Sequence, residues 1–92
     1  MPLLDDQEVR RGLDEIHGWT RDGDAIRKTY TLDSFAGAIA FVNRIAELAE
    51  EANHHPDIDI RYDRVGCTLS THSEGGLTEK DFDLARKLDA AH

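Results

Sequence analysis

Cysteine is nearly absent from this 92-residue chain. Cys67 stands alone, so no internal disulfide can form, and without a CxxC neighbour a cysteine-rich metal site is excluded as well. It reads as a buried, inert thiol. Cations are scarce too, with 11 Lys and Arg against 19 Asp and Glu, a formal charge of −8 and a pI near 4.9. Affinity for phosphate backbones comes from lysine and arginine displacing counterions, so this balance argues against direct binding of DNA or RNA. Apolar runs are short. None approaches the roughly 20 residues that a membrane-spanning helix needs, and the opening Met-Pro-Leu-Leu-Asp-Asp lacks the basic region and apolar core of a secretory signal. A soluble, cytoplasmic protein with no membrane partner is expected. With only three Phe, two Tyr and one Trp, the core should be small and aliphatic, filling a single domain over residues 1–92.

What is present is a regular alternation of helix and strand signals. Leu4-Asp5-Asp6-Gln7-Glu8-Val9 has the form of a capping box with Asp5 as N-cap, and predicts a helix from about Asp6 to Glu15 with Val9, Leu13 and Ile16 on its apolar face. Asp22-Gly23-Asp24 between Trp19-Thr20-Arg21 and Ala25 to Tyr30 predicts a hairpin. Trp19 and Tyr30 read as core cover rather than a stacking platform. Ser34 then caps a long helix whose stripe is Phe35, Ile39, Val42, Ile45, Ala46 and Ala49, ending by about Asn53 because Pro56 disfavours helix at His55. Ile58, Ile60 and Tyr62 alternate with Asp57, Asp59 and Arg61, as in a strand with one buried face. After a turn at Asp63-Arg64, Val65, Cys67 and Leu69 begin a second strand whose polar face runs on to His72. Thr78-Glu79-Lys80-Asp81 is a second capping box, opening a helix with Phe82, Ala85 and Leu88 inward. The order α-β-β-α-β-β-α predicts an α+β fold, a four-stranded antiparallel sheet with three helices packed on one face.

Chemistry concentrates between Glu50 and Asp81, where three of the five histidines fall, two of them adjacent in His54-His55-Pro56. Side chains at consecutive helical positions diverge by about 100°, but at a helix exit they can converge on one group from two sides. Imidazole titrates near neutrality, so His54, His55 and His72 suggest proton transfer. Two other readings stay open at this point. The pair could be a solvated helix terminus favoured by the exposed carbonyls, or the three could join Asp81 or Glu50 around a metal, although their spacing matches no common zinc motif. Asp81 is explained in full by its place in the capping box, and both roles can hold. His17 and His92 receive no chemistry.

Taken together, Glu50, three residues, His54-His55-Pro56, five residues, Tyr62, nine residues, His72, eight residues and Asp81 resemble the signature of the pterin-4a-carbinolamine dehydratases. Ser70-Thr71-His72 and Gly76-Leu77-Thr78-Glu79-Lys80-Asp81 resemble that family too, and the order of elements matches over almost the whole chain. The resemblance implies the fold above, a homodimer or homotetramer, and neither metal nor organic cofactor. It implies elimination of water from 4a-hydroxytetrahydropterin, the product left by aromatic amino acid hydroxylases, to give quinonoid dihydropterin for recycling by a reductase.

By the same resemblance His54 and His72 are the general acids at the departing hydroxyl, and His55 holds the substrate and accepts the nitrogen proton. Asn53, Ser70, Thr71 and Ser73 line the pterin pocket with the histidines, and Glu50 and Asp81 orient imidazoles. Two positions depart from some family members, which carry an acidic residue in place of Asn53 and an aromatic in place of Ile58. Relatives on this fold also act as a dimerisation cofactor of a transcription factor or in Rubisco assembly, so a non-catalytic binding protein with a regulatory partner is the alternative reading.

Overall fold

The computed structural model describes residues 2–92. The elements follow the predicted order: α1 (Asp6–Asp14), β1 (Thr20–Asp22), β2 (Ala25–Thr31), α2 (Phe35–Ala52), β3 (Asp57–Arg61), β4 (Arg64–Leu69), a 3₁₀ turn at His72–Glu74, and α3 (Glu79–Ala91). The strands form one antiparallel sheet in the order β1-β2-β4-β3. Three side-chain caps set the helix starts. Asp5 and Glu8 close one capping box, Thr78 and Asp81 close another, and the Ser34 hydroxyl accepts the Gly37 N–H. Each cap contributes about 1 kcal/mol. No helix is long and apolar enough to cross a membrane.

The core lies between one face of the sheet and the helices. Ile26 and Tyr30 of β2 sit opposite Leu69 and Val65 of β4 and point inward with Cys67. Above them pack Ala38, Phe41, Ile45, Leu48 and Ala49 of α2, and Phe82, Leu84, Ala85 and Leu88 of α3. Gly12 of α1 lies so close to Phe82 that a Cβ there would stand 2.6 Å from the ring. Trp19 and Tyr30 are core residues, stacked edge to face at 6.3 Å, and Tyr30 meets Phe41 in the same way at 4.9 Å. Lys28 shares the inward face of β2 and is held by Asp89 of α3, whose carboxylate also accepts the Tyr30 hydroxyl at 2.6 Å and the Trp19 indole N–H at 3.2 Å. His92 rests on Tyr30 and Phe41, a packing role at the chain end.

Four expectations need correction. The inward stripe of α2 is Ala38, Phe41, Ile45, Leu48 and Ala49, while Phe35 and Ala46 are exposed. Ile39 is half-buried, and Val42 packs against the margin of the core as expected. Strand β3 is exposed along its whole length, including Ile58 and Ile60. Pairing with Cys67 and Val65 puts those two on the core-facing side of the sheet, but β3 is its outer strand and the helices do not cover it. Tyr62 is not in the strand at all. Arg61 pairs with Arg64, so Tyr62 and Asp63 form the two-residue turn, Tyr62 with φ +54° and 72% exposed. Finally, β4 ends at Leu69, and His72 stands in the 3₁₀ turn instead of at a strand end.

Candidate active site

The site is built where the exit of α2, the end of β4 and the start of α3 meet. Asn53 caps α2 in the left-handed conformation, φ +50°, a backbone state asparagine tolerates better than most residues. The next N–H, of His54, reaches back to the Ala49 carbonyl at 3.0 Å and closes the end of the helix. Pro56 keeps the following residue from resuming it. Asn53, in place of an acidic residue, thus has a conformational reason to be there.

The segment after β4 is held as firmly. Thr71 and Gly76 exchange backbone hydrogen bonds, 2.9 Å from the Thr71 N–H and 3.3 Å in return. Gly75, at φ +78°, lets the chain double back between them. The loop so closed carries His72 and Ser73 at its tip, and the Ser70 hydroxyl ties its base to the Asp24 carbonyl at 2.6 Å.

One buried hydrogen-bond chain joins these pieces. Asp81, with no exposed surface, accepts His54 Nε2–H at 2.6 Å, the Thr71 hydroxyl at 2.8 Å and the Thr78 backbone N–H at 2.9 Å. Because the Thr71 proton points at Asp81, the Thr78 hydroxyl donates to Thr71 Oγ1 at 2.8 Å, and Thr78 Oγ1 in turn accepts the Lys80 N–H. The carboxyl that caps α3 is therefore the one that fixes the ring of His54, so Asp81 fills both places considered for it. Nδ1 of His54 makes no hydrogen bond within the described chain. No buried side-chain nitrogen or oxygen lacks a partner among the described residues, which leaves Nδ1 facing open space. His55 is exposed, and its Nε2 donates to the Glu50 carboxylate on the last turn of α2.

His54 also lines a cleft of about 330 Å³ together with Asn53, His55, Ser70, Thr71, His72, Ser73 and Lys80. The structure brings all seven residues expected to line a pocket around one opening, with Asp81 behind one imidazole and Glu50 beside another. Chemically this is one imidazole of fixed orientation backed by an acid and two exposed imidazoles, an arrangement suited to delivering and removing protons at neutral pH. No group of three or more His, Cys, Asp or Glu side chains able to hold a metal ion is gathered among the described residues. A second cleft between α1 and α3, lined by Glu8, Arg11, Glu15, Glu79, Arg86, Gly12 and Phe82, contains no histidine.

Sequence reasoning missed Lys80 as part of the cleft wall and the Thr71 hydroxyl as a partner of Asp81. Thr78 was visible as the cap that Asp81 reciprocates. For Lys80 nothing marked it beyond its place beside Asp81. Cys67 is 1% exposed, as expected, and burial pushes its thiol up to about 12. Burial, with the Asp89 carboxylate second, raises the Tyr30 phenol well above its ordinary value.

Residues 2–91 match the family model described as pterin 4 alpha carbinolamine dehydratase. A protein of Thermomicrobium roseum, provisionally named a pterin-4-alpha-carbinolamine dehydratase, is 59% identical over 88 residues, covering 96% of this chain and 95% of its own. One of the same provisional name from Sulfolobus acidocaldarius is 46% identical, covering 94% of each chain. Among solved structures, a transcriptional coactivator/pterin dehydratase from Brucella melitensis superposes with a TM-score of 0.92 at 37% identity over 96% of each chain. A pterin dehydratase-like protein identified as a RuBisCO assembly factor in the alpha-carboxysome superposes with a TM-score of 0.71 at 29% identity, covering 82% of this chain and 89% of its own.

Proposed function

This chain belongs to the pterin 4 alpha carbinolamine dehydratase family, and from that premise we propose that it eliminates water from a 4a-hydroxytetrahydropterin to give the quinonoid dihydropterin, as a step of tetrahydropterin recycling in the cytoplasm. The observation that carries the reading is the buried hydrogen bond from His54 to Asp81 in the wall of a cleft shared with His55 and His72.

In this reading the C4a–O bond breaks as the hydroxyl takes a proton and leaves as water. The neighbouring ring nitrogen loses its proton, and its electron pair forms the new C=N bond. His54 delivers a proton from Nδ1 while Asp81 stabilises the positive ring behind it, and His72 reaches the same hydroxyl from the loop tip. His55, beside Glu50, holds the substrate and accepts the nitrogen proton. Asn53, Ser70, Thr71 and Ser73 hold the ring, largely through backbone groups. The reaction draws on no metal or organic cofactor, and residues 1–92 act as one unit.

The test is the rate of 4a-hydroxytetrahydropterin dehydration, followed by ultraviolet absorbance, for the protein and for its His54→Ala, His55→Ala, His72→Ala triple variant. Acceleration by the protein and none by the variant is the expected result. Two identical traces at the uncatalysed rate would remove the enzyme reading.

A second reading is favoured by the exposed Phe35 on α2 and by Ile58 and Ile60 on the outer strand, together with two solved relatives described as a coactivator and an assembly factor. Here the fold serves a protein partner through these faces. The same surfaces support a homodimer formed through the open edge of β3, with dimers joining through α2 into a tetramer.

A further inference from the structure

The cleft that holds the histidines does not end at His54. A second opening of about 180 Å³ adjoins it, lined by Ala52, His54, Lys80, Asp83, Leu84 and Lys87. His54 and Lys80 are the shared wall of the two. Lys80, Asp83, Leu84 and Lys87 follow one another at spacings of three, one and three, which places them on one face of α3 above the exit of α2. Leu84 is fully buried and forms an apolar floor.

The charges here run against those of the chain as a whole. Asp83 is engaged by Arg86 at 2.7 Å, whereas Lys80 and Lys87 form no ion pair among the described residues. On a protein of formal charge −8, two ammonium groups without a protein counterion flank the opening beside the reactive histidine. Two such groups match a dianion better than a neutral or singly charged substituent, and a flexible lysine binds phosphate as a point charge.

We infer that this adjoining cleft is a subsite for a phosphate group carried on the side chain of the substrate, with Lys80 and Lys87 as its specificity-determining residues. The inference rests on the dehydratase reading above and extends it to the substituent. The pterin ring occupies the histidine cleft, and its side chain passes His54 toward Lys87.

The experiment compares two carbinolamine substrates that differ only in a side-chain hydroxyl or its phosphate monoester, and reads the ratio of their kcat/KM values. The protein should favour the phosphorylated substrate, and added salt should shrink the preference. Lys87→Gln should lower the ratio about threefold, the size of one partly screened charge pair, and Lys80→Gln with Lys87→Gln about tenfold. Arginine at both positions should restore it. A ratio near one in the unaltered protein, or one that the double variant leaves in place, would overturn the subsite. If neither substrate is dehydrated, the dehydratase reading fails separately. Fluorescence titration with the oxidised pterin and its phosphate then decides the subsite without turnover: tighter binding of the phosphate that is lost in the double variant sustains it, and equal binding overturns it.

Discussion

Replacing Asp81 by Asn and by Ala separates the two tasks this carboxyl performs. In Asp81→Ala, three buried donors, Thr78 N–H, the Thr71 hydroxyl and His54 Nε2–H, lose their acceptor together. Each buried group left unpaired costs about 1–3 kcal/mol, and relaxation and water entry absorb part of the sum, so a loss of about 4 kcal/mol is expected. At roughly 4–8 °C per kcal/mol for a domain of this size, the melting temperature should fall by about 15 °C or more. Asp81→Asn keeps a carbonyl oxygen for Thr78 and Thr71 and turns its NH₂ toward His54. The imidazole can accept that bond only by moving its proton from Nε2 to Nδ1, at a cost of about 1 kcal/mol.

Folding therefore survives in Asp81→Asn while the proton-delivering form does not. A neutral ring donating from Nδ1 must leave as imidazolate, and the carboxylate that favoured the imidazolium is gone. Dehydration should slow by about 10²-fold or more. Imidazole ¹⁵N shifts should report the switched tautomer, and thermal melting should order the proteins as unaltered, Asn, Ala. Equal melting losses for the two variants, or an unchanged tautomer in Asp81→Asn, would refute the reasoning.

Gly12→Ala should destabilise by about 1–3 kcal/mol in urea unfolding although alanine favours helix, because its Cβ would meet the buried Phe82 ring at 2.6 Å; a gain in stability would mean that α1 and α3 are not packed at this distance. Above pH 9 stability should decline. The Cys67 thiol is held protonated in the fold up to about 12, the unfolded chain releases that proton near pH 8.5, and between the two values stability falls by about 1.4 kcal/mol per pH unit. Below pH 8 both states keep the proton and the contribution is whole. Cys67→Ala should flatten the alkaline limb between pH 9 and 10, and parallel profiles would exclude the thiol as its source. Ile60→Asp puts a charge on the exposed outer strand and should shift light scattering toward monomer with little change in the monomer's helical signal; an unchanged mass would clear that edge of any part in assembly.

The elements were readable where a local rule acts alone. Asp5 with Glu8, Thr78 with Asp81, and Asp22-Gly23 each specify their own few residues, and the residues that the family resemblance assigned to a pocket do line one cleft. What escaped depends on residues far apart in the chain. Phe35 and Ala46 share the period of the core stripe, but the tertiary packing centres the buried face of α2 on Ala38, Phe41, Ile45, Leu48 and Ala49. Ile58 and Ile60 alternate like half-buried residues because they do lie on the core side of the sheet, but strand order leaves them past the edge of the helices. Lys28 on the inward face of β2 needs Asp89, 61 positions away, to be explained. Lys80 looked like an ordinary charge in a first helical turn.

The closed end of α2 has a further consequence, for how this protein can change over time. Asn53 stops the helix by its own backbone state, and His54 begins its job at the very next position. The 18 residues between Ser34 and Asn53 act as a ruler: one residue added or removed would turn the exit by about 100° and shift it by about 1.5 Å, carrying the imidazole away from its acid. Point changes on the outer face of α2 leave that measure intact. The exposed positions of this helix can therefore vary while its length stays constant, and variation in chain length is expected to collect at the Gly23-Asp24 turn, the Tyr62-Asp63 turn and the chain ends. A designer grafting a new surface onto the protein inherits the same rule.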